Sequence, residues 1–191
     1  MNDNLKIRAV RLSDAEQLLK IYKPYIENTA ITFEYDVPSV NEFAERINNI
    51  IQNYPYFVAE YDKRVVGYAY ANVFKDRKAY DWSVETSIYI DQNEHRKGIG
   101  KALYSKLERA LVLQGITNVN ACIAYTKQED EHLHNDSVKF HESLGYKSIG
   151  IFHKCAYKFN KWYDMVWMEK FIAPHKDMPN PIVPYPILNK N

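Results

Sequence analysis

The sequence predicts one mixed α/β (α+β) domain whose central sheet is mixed, mostly antiparallel and flanked by helices. Helical stripes and β-rich runs follow one another as strand, two helices, three or four strands, helix, strand, helix, two strands. Two of these runs, "YFVAEY" and "RVVGYAYANVF", are separated by Asp62 and Lys63 alone, the signature of a hairpin. The 191 residues are 46% hydrophobic and 26% charged, enough for one sizeable core, and no internal repeat divides them.

In order, "IRAV", residues 7 to 10, is a short strand. Ser13 opens a helix with Glu16 completing a capping box; Ala15, Leu18, Leu19 and Tyr22 form its inner face. A second box, Ser39 with Glu42, starts a helix whose stripe is Phe43, Ile47, Ile50 and Ile51, and "TAITFEYDVP" is the loop between the two. After the hairpin, "SVETSIYID" is a strand that leads into a glycine turn. The helix that follows carries Ile99, Leu103, Leu107 and Leu111 on one side. "VNACIA" alternates as a strand. "HNDSVKFHESLGY" is a short helix with Gly145 as its C-cap, and "YKSIGIFH" and "YDMVWMEKFI" are the last strands. The domain spans 1–172. Residues 173–191, with Pro174, Pro179, Pro181, Pro184 and Pro186, form a tail that is extended or disordered.

A net charge of +1 calls for neither nucleic acid nor an anionic membrane as partner. "MNDNLKIRAV" has no apolar stretch of signal-peptide type, and no segment approaches a membrane span. Cys122 and Cys155 make no disulfide framework and lack metal-site spacing, so a reduced, cytoplasmic setting is expected. The 16 tyrosines are read as core-edge and pocket-lining residues. Glu129, Glu131, His132 and His134 in "EDEHLH" match no metalloprotease motif. They are read as a solvated loop, and no metal is expected.

The chemistry begins at "DQNEHRKGIGKAL". Two of only 6 glycines, Gly98 and Gly100, stand one residue apart at the mouth of a helix. There they cost about 1 kcal/mol each relative to alanine if helical. The turn is no P-loop, because Ala102 follows Lys101 and no glycine lies five residues before Gly100. It is no dinucleotide fingerprint, because Leu103 stands where the third glycine belongs. A tight strand-to-helix connection and an anion site remain. Arg96, Lys97 and Lys101 flank the glycines, and amide donors at a helix start favour an anion.

"HRKGIGKAL" resembles the acyl-CoA pyrophosphate loop of the GNAT N-acetyltransferases, Gln/Arg-x-x-Gly-x-Gly/Ala, with His95 at the Gln/Arg position. "YPYFVAEYDKRVVGYAYANVFKDRKAYDWSVETSIYI", "SVKFHESLGY", "ITFE" and "YKFNKWYDMVWME" are similar to the phosphinothricin and methionine-sulfoximine acetyltransferase branch. The likeness covers roughly residues 5 to 172. It implies the GNAT (acyl-CoA N-acyltransferase) fold, acetyl-CoA as cosubstrate without a metal, a small-molecule amine as acceptor, and a homodimer.

Residue by residue, the resemblance places the backbone of Arg96, Lys97, Gly98, Ile99, Gly100 and Lys101 along the pyrophosphate. It gives the pantetheine arm and the oxyanion the backbone of Ile88, Tyr89 and Ile90, on a strand expected to bulge and splay. Glu85 stands mid-strand among β-formers, either solvent-facing or functional, and the resemblance makes it the general base. His141 falls where many relatives carry a tyrosine acid. Its imidazole suits an acid, a base helper or a substrate contact, and a structural histidine is the plain alternative. Lys75, Arg77 and Tyr80 of "FKDRKAY", otherwise a basic turn, would meet the anionic end of an amino-acid substrate, and Phe33 would close the pocket. Ser137 matches the family's serine. The asparagine expected three residues before it is His134, so Asn135 is the nearest candidate for the pantetheine, after a connection longer than usual.

The expected reaction is direct acetyl transfer to the α-amine of an amino-acid-like molecule, with neither cysteine in a recognisable nucleophile setting. Transfer to a protein N-terminus, a lysine or an aminoglycoside-like amine is one alternative. A non-catalytic CoA-binding module is another.

Overall fold

The computed structural model describes residues 5–188. The chain runs β1 (Leu5–Ala9), α1 (Ala15–Asn28), α2 (Val40–Ile51), β2 (Tyr56–Tyr61), β3 (Arg64–Val73), β4 (Ser83–Ile90), α3 (Ile99–Gln114), β5 (Asn118–Tyr125), α4 (Asp136–Ser143), β6 (Lys147–Lys158), β7 (Lys161–Phe171) and one turn, α5 (Tyr185–Leu188). This is the mixed α/β order expected. The strands form one sheet, β1-β2-β3-β4-β5-β7-β6. Every neighbouring pair is antiparallel except β4 with β5, which α3 joins by a crossover.

Each face of the sheet has its own apolar layer. On one side Leu103, Leu107 and Leu111 of α3 are fully buried against Phe57, Val66, Val84 and Val119. Each such leucine contributes about 1.5–3 kcal/mol, which outweighs the glycines at the helix start. On the other side Leu18, Tyr22 and Ile26 of α1 and Phe43 and Ile47 of α2 cover Val58, Val65 and Tyr68. Tyrosines are frequent in this second layer: Tyr56, Tyr68 and Tyr70 stack on one another, and Tyr89 meets Tyr22 and Tyr25 edge-on. No helix among the described residues is long and apolar enough to cross a membrane.

The start of α1 differs from expectation. Ser13 and Glu16 form no capping box; a 3₁₀ turn, Leu12–Asp14, comes first and Asp14 is the N-cap. The buried Asp14 carboxylate accepts two bonds from the Arg8 guanidinium, at 2.7 and 2.9 Å, and one from the Arg11 amide at 2.7 Å. Arg8 also donates to Glu60 at 2.8 Å, joining β1 to β2. A paired, charge-assisted acceptor displaces a serine hydroxyl at this end. The arginine holds Asp14 below its ordinary range against the opposing effect of burial.

The last hairpin is longer than expected. β6 runs on to Lys158 through an irregular stretch between Phe152 and Ala156, where Lys154 takes a φ of 50°. The segment after β7 folds back as an arm: Trp82 Nε1 donates to Asn180 O, Gln114 exchanges bonds with Val183, and the Tyr185 amide donates to Asn53 O.

The Ser39–Glu42 box does form. Ser39 Oγ accepts from the Glu42 amide at 3.2 Å and Glu42 Oε2 accepts from the Ser39 amide at 2.7 Å. Ser39→Ala should therefore lower stability by about 1 kcal/mol in urea unfolding, through loss of an α2 cap.

Candidate active site

β4 and β5 pair over three residues only, Ser83, Val84 and Glu85 against Asn118, Val119 and Asn120. Beyond Glu85 they part. Polar side chains finish the pairing where the backbones separate: Asn120 Nδ2 donates to Val84 O and Thr86 Oγ1 donates to Asn120 O, both at 3.1 Å. The opening arises from this parting alone. The bulge expected in β4 is not formed, since its register against β3 is unbroken from Val84 to Ile90. The edge of β4 facing the fork, through Thr86, Ser87, Ile88 and Tyr89, is thus free of a partner strand along a cleft of about 60 Å³.

Glu85 is half-buried at the crotch of the fork. Burial raises its carboxyl above the ordinary carboxylate value, and the Lys75 ammonium offsets this only in part. Lys75 itself lies over the rings of Phe74 and Trp167, at 5.1 and 5.5 Å. Tyr80 meets Phe74 edge-on at 6.0 Å, so Lys75 and Tyr80 share one cluster on the exposed turn that also carries Arg77. Cys122 also neighbours Glu85. Although Cys122 is exposed, desolvation and the nearby Glu85 carboxylate push its pKa up to about 12, which leaves a protonated thiol and a poor nucleophile.

α4 supplies the opposite wall. His141 is buried, and desolvation holds it below its ordinary value, so the ring is neutral near pH 7. Its Nδ1 lies 2.7 Å from Ser137 O, a group that only accepts, so Nδ1 carries the proton. Nε2 then accepts from the Tyr104 hydroxyl at 2.9 Å. Tyr104 is fully buried and, with Ser137 and His141, lines the cleft. Ile31, from the loop between α1 and α2, closes the cleft from outside. Phe33 of the same loop lies farther back, its ring 6.5 Å from that of Tyr163.

The glycine turn has two separate explanations. Gly98 caps α3 with a φ of 78°, and a Cβ there would meet nothing within 4 Å. Its left-handed backbone demands glycine, and its open side leaves room for an anion before the free amides of α3. Arg96 adopts a φ of 60° in the same turn. Gly100 is instead a packing glycine: a Cβ would lie 2.8 Å from Phe140 Cζ and 3.3 Å from Ile90 Cδ1, so α3 and α4 meet through it.

Not every flanking cation faces the turn's open side. Lys97 Nζ is held at 2.6 Å by Glu94 Oε2, and Glu94 and Asp91 both hold Arg64. Lys97 is thereby left to act through its backbone. His95, though exposed, reaches α1: its Nε2 is 3.0 Å from Tyr25 Oη, which donates to Ile90 O at 2.5 Å. The Ile90 carbonyl is therefore spent on α1, while the Ile88 and Ile90 side chains pack on the core. Asn135 is also committed: its amide donates to Thr126 O at 2.9 Å and accepts from the Thr126 amide at 3.3 Å, closing the loop before α4.

The family model of the acetyltransferase (GNAT) domain matches residues 7–167. The chain belongs to the GNAT acetyltransferase family. This GNAT enzyme is 33% identical over 182 residues, 94% of each chain, to phosphinothricin N-acetyltransferase of Streptomyces viridochromogenes. It is 28% identical to an L-methionine sulfoximine/L-methionine sulfone acetyltransferase of Pseudomonas aeruginosa, over 91% of this chain and 98% of that one. Among solved structures, the phosphinothricin acetyltransferase of Sinorhizobium meliloti in complex with AcCoA superposes with a TM-score of 0.82. It is 31% identical, over 95% of this chain and 98% of that one.

Two residues of the GNAT cleft escape a sequence reading. Tyr104 sits beside Leu103 on the apolar stripe of α3 and reads as core; its hydroxyl is the only hint. Ile31 lies in a loop without periodicity. The two glycines should separate on substitution. Gly98→Ala is expected to cost roughly 1–2 kcal/mol of stability and to weaken acetyl-CoA binding in calorimetry. Gly100→Ala should instead shift α4, lowering the melting temperature and the turnover with a smaller effect on coenzyme affinity.

Proposed function

We propose that this acetyltransferase moves the acetyl group of acetyl-CoA to the α-amine of a small amino-acid-like molecule of the phosphinothricin, methionine sulfoximine or methionine sulfone type. The observation that carries this reading is Glu85, a carboxylate of raised pKa at the last paired residue of the fork, with Lys75 beside it. The relatives named for those acceptors support the choice of substrate class.

The thioester enters the fork with the free amides from Gly98 to Lys101 along the pyrophosphate and the open edge of β4 along the pantetheine. Glu85, directly or through one water, takes a proton from the acceptor's ammonium, and the freed amine attacks the thioester carbon. Lys75 with Tyr80, and Arg77 from the rim, serve the acceptor's anionic end. With the β4 register against β3 unbroken, only alternate amides face the fork, and the Ile88 amide serves the developing oxyanion. The C–S bond then breaks as the tetrahedral carbon collapses, and the extra proton left on the nitrogen passes to the departing thiolate, which leaves as the free thiol.

The leaving sulfur meets Tyr104. A thiol of pKa about 8.5 is a far weaker base than a phenolate whose protonation burial favours. Tyr104 therefore donates a hydrogen bond to the thiolate rather than a whole proton, and His141 orients the phenol until then. The protonated Cys122 thiol favours direct attack over an acyl-enzyme intermediate.

The subunit is read as half of a cytoplasmic homodimer. β6 is a sheet edge of twelve residues with Ile149, Ile151 and Phe152 exposed, a surface that a lone soluble chain rarely leaves bare. Sedimentation should give a dimer, and Phe152→Glu should shift it towards monomer.

The direct test follows free thiol release with methionine sulfoximine, methionine sulfone and phosphinothricin, against a peptide amine. Preference for the peptide would overturn the acceptor assignment. Glu85→Gln should lower kcat by about 10²–10⁴-fold with acetyl-CoA binding retained. Because the base must be ionised, wild-type activity should fall as pH drops through the raised Glu85 pKa, and the variant should lose that limb. A pKa raised by folding makes the ionised carboxylate a cost above it, so the variant should also melt higher at neutral pH. Tyr104→Phe should cost about tenfold in kcat, the scale of one hydrogen bond.

A further inference from the structure

We propose that Lys158 is a positioning residue for acceptor binding, acting through the loop between α1 and α2. The proposal rests on the acceptor site described above and adds to it a residue that touches neither substrate nor coenzyme.

Lys158 ends β6 and is 3% exposed, a rare state for a lysine. Its ammonium donates to three main-chain carbonyls, Ile26, Thr29 and Thr32, each at 2.8 Å. All three protons are thus used. Ile26 O belongs to the last turn of α1, whose carbonyls lack helical partners and carry the negative end of the helix dipole. Thr29 O and Thr32 O bracket Ile31, the loop side chain that lines the cleft with Ser87, Ser137 and His141. The grip falls on either side of the residue that faces the reaction.

Neighbouring bonds act on the same stretch. The Tyr35 hydroxyl donates to the carbonyl of Tyr157, next to Lys158. The Ala30 amide donates to His132 O at 2.9 Å, and the His132 ring stacks on Phe159 at 3.9 Å. The β6–β7 turn, the long connection before α4 and the acceptor loop therefore meet around this one ammonium. No bond in the set reaches residues 96–101. Loosening Lys158 should free the acceptor side and leave the coenzyme side in place.

The test uses full-length Lys158→Met and Lys158→Arg. Hydrogen exchange of residues 29–35 should accelerate in Lys158→Met, while α3 keeps its protection. The acceptor KM should rise about tenfold, the scale of bonds lost, with the acetyl-CoA KM within about twofold. Lys158→Arg, which retains donors, should recover part of both effects. Should Lys158→Met yield no folded protein, Lys158→Gln, with two donors, carries the same readouts. Unchanged exchange in the loop, or a parallel rise of both KM values, overturns the proposal. Failure of the acceptor assignment looks different: wild-type enzyme would then turn over none of the amino-acid analogues, while the exchange result still decides the role of Lys158.

Discussion

The site exists because β4 and β5 run parallel for three residues and then separate. A parallel pair needs a crossover, so α3 must leave from the end of β4 and return at the start of β5, which puts its N-terminus at the mouth of the gap. One topological fact therefore places the free amides of a helix, the open edge of a strand and the carboxylate at the crotch along a single line. The gap stays open because what fills it is polar and paired: Thr86 with Asn120, Tyr104 with His141, His141 with Ser137. An apolar filling at these positions would favour closing the sheet.

Much of this was legible in the sequence. Alternation and turn residues gave the succession of elements along the chain, the stripe at Ile99, Leu103, Leu107 and Leu111 gave α3, and two glycines before it marked the turn. Glu85 was visible as a carboxylate among β-formers. Most of what was not legible depends on partners from other elements. Ser13 reads as a cap until Arg8, five residues earlier and on another element, claims Asp14. Lys97 reads as a phosphate cation until Glu94, which also binds Arg64 from β3, neutralises it. Gly100 reads as a ligand glycine until Phe140 from α4 is seen against it. Tyr104 and Lys158 carry no local signal, since a tyrosine on an apolar stripe and a lysine near a turn are ordinary residues.

Lys97 apart, whose partner Glu94 stands three residues away, these misses share a cause. Periodicity and capping rules describe bonds within about four residues, whereas a functional side chain is set by groups far away in sequence. Lys158 meets carbonyls 126 to 132 residues distant, and Tyr104 meets a histidine 37 residues on. Such bonds satisfy buried polar atoms that would otherwise cost about 1–3 kcal/mol each, so they outrank local preference wherever the two compete.

The two sides of the fork also differ in how firmly sequence specifies them. The donor side is built from main-chain amides and from glycine conformations, so its side chains can change at little cost. His95 stands at a Gln/Arg position and spends its ring on Tyr25, and Lys97 is paired elsewhere, yet the amides remain aligned. The side proposed for the acceptor is assembled from three separate segments: the α1–α2 loop, the connection before α4 and the β6–β7 turn. Asp130 secures the second of these by accepting from the His132 and Leu133 amides, Lys161 and the Tyr163 hydroxyl. Each segment is held by a side chain whose replacement would move the others. Likeness to relatives at about a third identity therefore speaks more strongly for the donor than for the acceptor. The acceptor's identity rests on Glu85, Lys75 and the loop that Lys158 holds.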